Sequence, residues 1–326
     1  MNAPALLPER ATDRQILTYY GLPAVKPSLW GGLVSGYIFI AGVGGSAQII
    51  ATAADFARDP RLAPVIRQGR YIALGAAILG APLLIIDLHT PQRWYNMLRI
   101  FRRTSPMSIG TWVLMSFGLS SFAVAALQYV SGRLRRPSRT MQTTMKLLEV
   151  PAALTGMAMS TYTGALLSAT STPLWAAAPC QIAALFGASA MASGTAALAL
   201  AGQCRGASSE AGRALDRIAF LASAVEVVLM LSLRRRLYEK GVAEALGDRG
   251  SGLAYDFGAV MLGAGVPMLH HGRRILRPNR ARRPSMMVSL AVLAGGFLLR
   301  HILLSAGNDS ARRPNDYFRF AGGPRQ

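Results

Sequence analysis

Long stretches of this chain lack any ionisable side chain. Gly31 to Ala54 and Thr104 to Gly132 contain no Asp, Glu, Lys, Arg or His, and Val150 to Cys204 runs for 55 residues without one. Charged residues make up only 15% of the chain, against about 25% in an ordinary soluble domain. A bilayer core takes about 20 helical residues, so the longest run is too long for one span and right for two. Ser168 to Pro173 supplies the turn between them. Cysteine is also scarce, with only Cys180 and Cys204. Two thiols cannot supply the four that an iron–sulfur cluster usually needs, so no cluster is expected in this chain. Each reads as a small packing residue. Four histidines with no well-buried facing pair argue against haem. The chain shows no metal-ligand spacing, phosphate loop or nucleophile elbow. No strand precedes the glycines at 42–45, so a dinucleotide fold has no support. Met1 to Pro27 has prolines and charges instead of a continuous apolar run, so no cleavable signal peptide is expected.

The periodic apolar segments predict an all-α membrane protein with eight transmembrane helices. They fall near 31–54, 69–88, 107–130, 147–170, 174–201, 214–233, 253–271 and 285–305. Residues 1–30 form a surface segment, 31–305 the membrane domain and 306–326 a tail. An even number of spans puts both termini on one side, here called face A, together with loops 89–106, 171–173 and 234–252. Loops 55–68, 131–146, 202–213 and 272–284 lie on the opposite face B. The net charge is +20. The arginines sit between apolar spans, so lipid headgroups are expected partners and nucleic acid is not. Lysines and arginines balance between the faces, so the positive-inside rule assigns no orientation. Glycines 32, 36, 42, 44 and 45, with Ala190/Gly194 and Gly263/Gly265, mark places where helices can approach closely.

Asp87 to Gly110 joins the second and third spans. Thr90 can cap a short helix and Pro91 can take its first position. Trp94, Met97, Leu98 and Phe101 fall on one stripe at helical spacing, with Arg93, Arg99, Arg102 and Arg103 off it. The expectation is an amphipathic surface helix with aromatics at headgroup depth. Its arginines are candidates for docking a partner. Ser105-Pro106 repeats the cap-plus-proline signal and starts the next span.

Ionisable groups at membrane depth are functional candidates by default. Asp87, His89, Asp256, Arg300 and His301 are placed near face A, with Tyr162 in the same half. Glu149 and Asp216 are placed near face B and Glu226 mid-span. His270 and His271 read as loop histidines at face B. One half of the membrane thus carries hydrogen-bonding and titratable groups, and a sparser trail of carboxylates leads to the other. That pattern suits a quinone, which needs a donor at each carbonyl and exchanges protons with its electrons. Glu226, Glu149 and Asp216 are the candidate proton path. The bland alternatives are headgroup-level carboxylates, an Arg300 that snorkels or pairs with Asp256, and a Tyr162 that only bridges helices.

At five places the chain resembles the NrfD / polysulfide reductase membrane-subunit family. These are Tyr19-Tyr20-Gly21 with Pro23 and Lys26 to Trp30; Asp87-Leu88, Pro91, Arg93, Asn96 to Arg99 and Thr104 to Ser108; Glu149-Val150-Pro151 with Tyr162-Thr163-Gly164, Ser168 and Thr172 to Trp175; Ser189 to Gly194; and Leu299-Arg300 with Ala306-Gly307. The second and third are the specific ones. The resemblance implies eight helices in two four-helix bundles within a bacterial inner membrane. It implies menaquinone or another quinone bound near the surface, and electron exchange with a ferredoxin-like iron–sulfur subunit that often serves a molybdopterin catalytic subunit. Tyr162 matches the quinone-contacting tyrosine, and the start of helix one, at Trp30, contributes to the pocket. Many relatives carry an acidic residue shortly after that Trp. Here Gly31-Gly32-Leu33-Val34 follows, so the position differs at a quinone-contacting or proton-handling point. Two other readings are a membrane anchor with a degenerate quinone site and a small-molecule or ion transporter. A transporter would need midplane polar groups and repeat symmetry; one mid-membrane carboxylate and no repeat are evident.

Overall fold

The computed structural model describes residues 25–88, 90–134, 138–203, 209–247, 249–277 and 285–321. Among these the chain is helical, with no strand. α1 (Gly32–Phe56) leads through a 3-10 turn (Pro60–Leu62) to α2 (Ala63–Ile86). A second 3-10 turn (Pro91–Arg93) and the single turn α3 (Asn96–Arg99) precede α4 (Pro106–Arg133). Then come α5 (Arg139–Ser168), the short α6 (Pro173–Ala177), α7 (Pro179–Gln203) and α8 (Ser209–Glu239). The short α9 (Glu244–Gly247) and α10 (Arg249–Leu253) open into a π-helical stretch (Ala254–Gly265) continued by α11 (Val266–Leu276). α12 (Met286–Arg312) and α13 (Pro314–Ala321) follow.

The helix starts have local causes. Ser105, Ser138 and Ser285 each accept a backbone N–H from three residues on, which satisfies donors that have no partner within the helix. The long helices overrun the expected spans at several ends. α8 begins five residues earlier and α12 runs on to Arg312, because charged ends can project beyond the apolar slab. The expected helix 174–201 is broken at Ala178 (φ −142°, ψ 56°). Pro179 disfavours α geometry at the residue before it. The expected helix 253–271 is π-helical over its first half. Pro267 cannot donate to the ladder, and the wider turns before it absorb that loss.

The expected surface helix is shorter than its periodicity implied. It ends at Arg99, Ile100 is extended, and Thr90 makes no side-chain cap. Phe101 therefore leaves the stripe and packs its ring edge against Trp112 of α4, centroids 6.1 Å apart. The Ser108 hydroxyl accepts the Arg102 N–H at 3.0 Å and donates to the Ile100 carbonyl at 3.1 Å. This ties the extended strip to the start of α4. The described part of the tail continues α12 to Arg312 and then forms α13 (Pro314–Ala321).

Among the described residues, six helical segments are long and apolar enough to cross a membrane: Gly32–Phe56, Pro60–Ile86, Pro106–Arg133, Pro179–Gln203, Ser251–Leu276 and Met286–Arg312. α5 and α8 are as long but more polar. α5 is rich in Ser, Thr and Gly, and α8 carries Asp216, Arg217 and Glu226 inside it. α1 is central, touching α2, α5, α7 and α12. Its small residues make this possible. A Cβ on Gly45 would lie 2.3 Å from the Gly156 carbonyl of α5, so the two backbones meet there directly. Gly263 and Gly295 play the same part between the π-helical stretch and α12. Gly32, Gly36 and Gly265, also expected at contacts, meet no neighbouring helix closely.

Candidate functional site

Tyr162 lies on α5 at its seam with α4. Its hydroxyl donates to the Pro106 carbonyl at 2.5 Å. Gly110, one turn further along α4, receives the ring, since a Cβ there would lie 2.2 Å from it. Tyr37 of α1, buried, lies close enough to interact electrostatically with Tyr162. Two phenols thus sit where α1, α4 and α5 approach face A, directly behind the arginine-bearing segment 93–103. A phenol can donate to a carbonyl and pass a proton on. Tyr37 carried no signal of its own, lying in a run of apolar residues.

The other expected face A groups occupy different seams. Trp30 stacks on the fully buried Trp175, centroids 5.8 Å apart. The Trp175 indole donates to the Leu303 carbonyl at 2.8 Å. Asn308 closes this corner, accepting from the Ser28 amide and hydroxyl and donating to the Trp30 carbonyl. Trp30 is therefore part of a joint between the N-terminal segment and α12. His301 meets the Ser35 hydroxyl at 3.3 Å and stacks on Phe297. Asp256 pairs with Arg234 at 2.5 Å, not with Arg300, and both side chains are half-buried. Asp87 caps the end of α2, half-buried, with no side-chain partner among the described residues. His89 lies outside the described residues. Of the docking arginines, Arg93, Arg99, Arg102 and Arg103 are all exposed.

Arg300 corrects the expected depth. It sits at the middle of α12, 1% exposed, with Glu226 of α8 facing it at 3%. Ser189 of α7 lies between them, hydrogen-bonded to Glu226 and accepting from Arg300 Nη1 at 3.1 Å. The guanidinium also donates to the Gly296 and Phe186 carbonyls. It lies over the rings of Phe39 and Phe186. Its Nε has no partner. Below this pair, Ser193 of α7 and Ser223 of α8 are buried with unpartnered hydroxyls. About two turns along α8 from Ser223, Asp216 accepts from Arg274 Nε at 2.8 Å and meets His271 Nδ1 at 2.9 Å. His270 and His271 are thus helical residues of α11, not loop histidines, and His271 belongs to the polar file leading to Glu226.

Glu149 has a different setting. Arg70 Nε donates to it at 2.7 Å, Arg70 Nη1 to Gln128 at 2.8 Å and Nη2 to Asp55 at 3.3 Å. Arg70 and Glu149 are 4% and 0% exposed. This network ties α1, α2, α4 and α5 together near face B. It shares no residue with the Asp216–Glu226 file, so the three expected proton-path carboxylates fall into two separate places. Arg70 was overlooked because it stands at the very start of an apolar span, where an arginine normally reaches water.

The family model described as "Polysulphide reductase, NrfD" matches residues 23–309. A protein described as "Protein NrfD homolog" from Haemophilus influenzae is 25% identical over 316 residues, covering 88% of this chain and 97% of that protein. The match takes in Trp30, Tyr162, Glu226 and Arg300 alike, and this multi-pass membrane chain belongs to the NrfD, polysulphide reductase, family.

Proposed function

We propose that this protein is the quinone-reactive membrane subunit of a multi-subunit oxidoreductase. In this reading all eight long helices cross the bilayer, α1, α2, α4 and α5 as one four-helix bundle and α7, α8, α10–α11 and α12 as the other. Their contacts favour that division, since most of the packing lies within each group, with α7 as the helix that joins the two. A quinone or quinol, menaquinone among the candidates, binds near face A beside Tyr162 and Tyr37. The peripheral iron–sulfur subunit docks above it on segment 93–103, and a molybdopterin or other catalytic subunit completes the complex. The quinone is a substrate here, and the chain's own residues bind it and handle its protons.

The observation that carries the reading is the position of the Tyr162 hydroxyl. It lies at the start of α4, bonded to a carbonyl that immediately follows the arginine-bearing segment. Binding a quinone there would exchange the Pro106 carbonyl for the ligand's. Tyr162→Phe in the assembled complex tests it: quinol-linked turnover falls while the complex still assembles. Unchanged turnover and unchanged inhibitor response would defeat the reading. The Asp216–Ser223–Glu226 file supports a proton route from face B toward mid-membrane, ending on the pair with Arg300. Glu149 is better read as structural.

A second reading is a membrane anchor with a degenerate site. The tight Trp30–Trp175 stack favours it, because it turns the family's helix-one position into packing. A purified complex that carries no quinone and ignores quinone-site inhibitors would select the anchor.

A further inference from the structure

A cavity of about 550 Å³ opens on the side of the molecule in its face B half. α7 forms its floor, through Ala188 and Met191. α1 and α8 form its walls, with Ile49 and Ala53 on one and Ile218 and Val225 on the other. Along α8 the lining runs from Ala211 to Val225, a length of about 21 Å at 1.5 Å per residue. The groove is therefore elongated along the helices, from the face B surface toward mid-membrane. Its lining is entirely apolar and much of it is alanine, which holds the walls apart without filling the gap. Leu221 and Val225 on its edge are 62% and 50% exposed. The volume is in the range of ligand-binding cavities, roughly 300–1,000 Å³.

The mouth is charged, and of one prevailing sign. Arg58, Arg61, Arg213 and Arg217 each stand next in sequence to a residue that lines the groove, against Asp59 and Glu210. Arg61, on the turn that follows α1, bridges across the mouth to Glu210 of α8. Arg213 also turns to Glu210. Arg58 and Arg217 have no ion pair among the described residues. Arg58 moreover holds a left-handed backbone, φ 55°. That is the position after a helix where glycine normally sits because a side chain is strained there. The chain keeps an arginine at that point, beside the mouth.

We propose that this groove binds a phospholipid with an anionic headgroup. One acyl chain lies along the alanine-rich floor and the phosphate is held at the mouth by Arg58 and Arg217. Basic pockets between membrane helices favour such headgroups. A quinone suits the groove less well, because its ring would find no hydrogen-bond donor anywhere along the lining. The site is independent of the Tyr162 region and lies in the opposite half of the membrane.

The test is lipid retention by the intact chain purified in mild detergent, read by native mass spectrometry. Wild type is compared with R58Q/R217Q and with A53F/A214F, which fills the groove. The expected result is at least one phosphatidylglycerol-class lipid per wild-type chain. Retention falls about tenfold in the arginine variant and is lost in the filled variant. Circular dichroism and gel filtration check that each remains folded. The arginine variant changes only exposed side chains, so it decides alone should the filled one misfold. Equal retention in wild type and the arginine variant overturns the proposal. So does a retained molecule that is a quinone or a zwitterionic lipid.

Discussion

Two buried arginine–glutamate pairs lie in different parts of the molecule, and their differences are instructive. Arg70 near face B spends all three nitrogens on side chains, two of them carboxylates. Arg300 at mid-membrane has one facing carboxylate, a shared hydroxyl, two carbonyls and two aromatic faces, and its Nε is unpartnered. A buried guanidinium with every nitrogen on a side chain fixes four helices in one arrangement, although Glu149 keeps one oxygen unpartnered. A buried guanidinium that is itself incompletely bonded is costly to keep. The first has the geometry of a clamp, and the second is where the proposed function has a proton arrive. Their sequence contexts look alike, a lone charge in an apolar helix, so only the surroundings distinguish them.

Breaking the clamp should give the largest effect. Arg70→Leu leaves Glu149 and Asp55 without a counter-charge, at a cost of roughly 3–5 kcal/mol. Yield of folded protein and unfolding temperature in detergent should both drop sharply. A variant as stable as wild type would show that the network is incidental. Glu226→Gln keeps the shape of the second site and removes its proton. We expect normal assembly but quinone turnover slower by about 10²-fold. A normal rate would place both pairs in the same structural class.

Tyr162→Phe sharpens the contrast from the other side. Losing one hydrogen bond costs only about 1 kcal/mol of stability, so a large loss of quinol-linked turnover would be functional in origin. Arg99→Glu with Arg102→Glu should weaken the hold on the proposed iron–sulfur partner and change its salt dependence, while insertion stays unchanged. Insertion failure would return these arginines to the role of headgroup anchors.

The smallest effect concerns the surface helix α13. Burial raises the Asp316 carboxyl above the ordinary range, with Arg313 and Ser310 partly offsetting it. A raised folded value means the protonated form is the one the fold prefers. Its contribution is present at low pH and is lost as pH rises through that raised value. Hydrogen exchange in 314–321 should therefore quicken with pH beyond the chemical trend, and Asp316→Asn should remove that excess.

Much of the chain was legible from its order alone. Charge-free runs are dictated by the bilayer, which admits no unpaired charge along a span, so Val150–Cys204 declared two helices and a turn. Ser105-Pro106 declared where α4 begins, because capping is decided within four residues. The family motifs pointed to Tyr162, and α4 does shelter it. The surface helix was over-read. Its stripe was real as a pattern, but tertiary bonds from Ser108 to Ile100 and Arg102 pull the strip out of helix. Which carboxylate faces which arginine was not legible at all. Nothing in the order of residues pairs Arg70 with Glu149, Arg300 with Glu226 or His271 with Asp216. Pairing of that kind depends on how each helix is rotated about its axis. Contacts such as Gly45 against Gly156 set that rotation, and they join residues more than a hundred positions apart. The sequence by itself determined that the chain enters a membrane, where it turns and which residues are too polar to be there for free. Only the tertiary structure decided which of those residues meet, because burial is a property of one helix while pairing is a property of two.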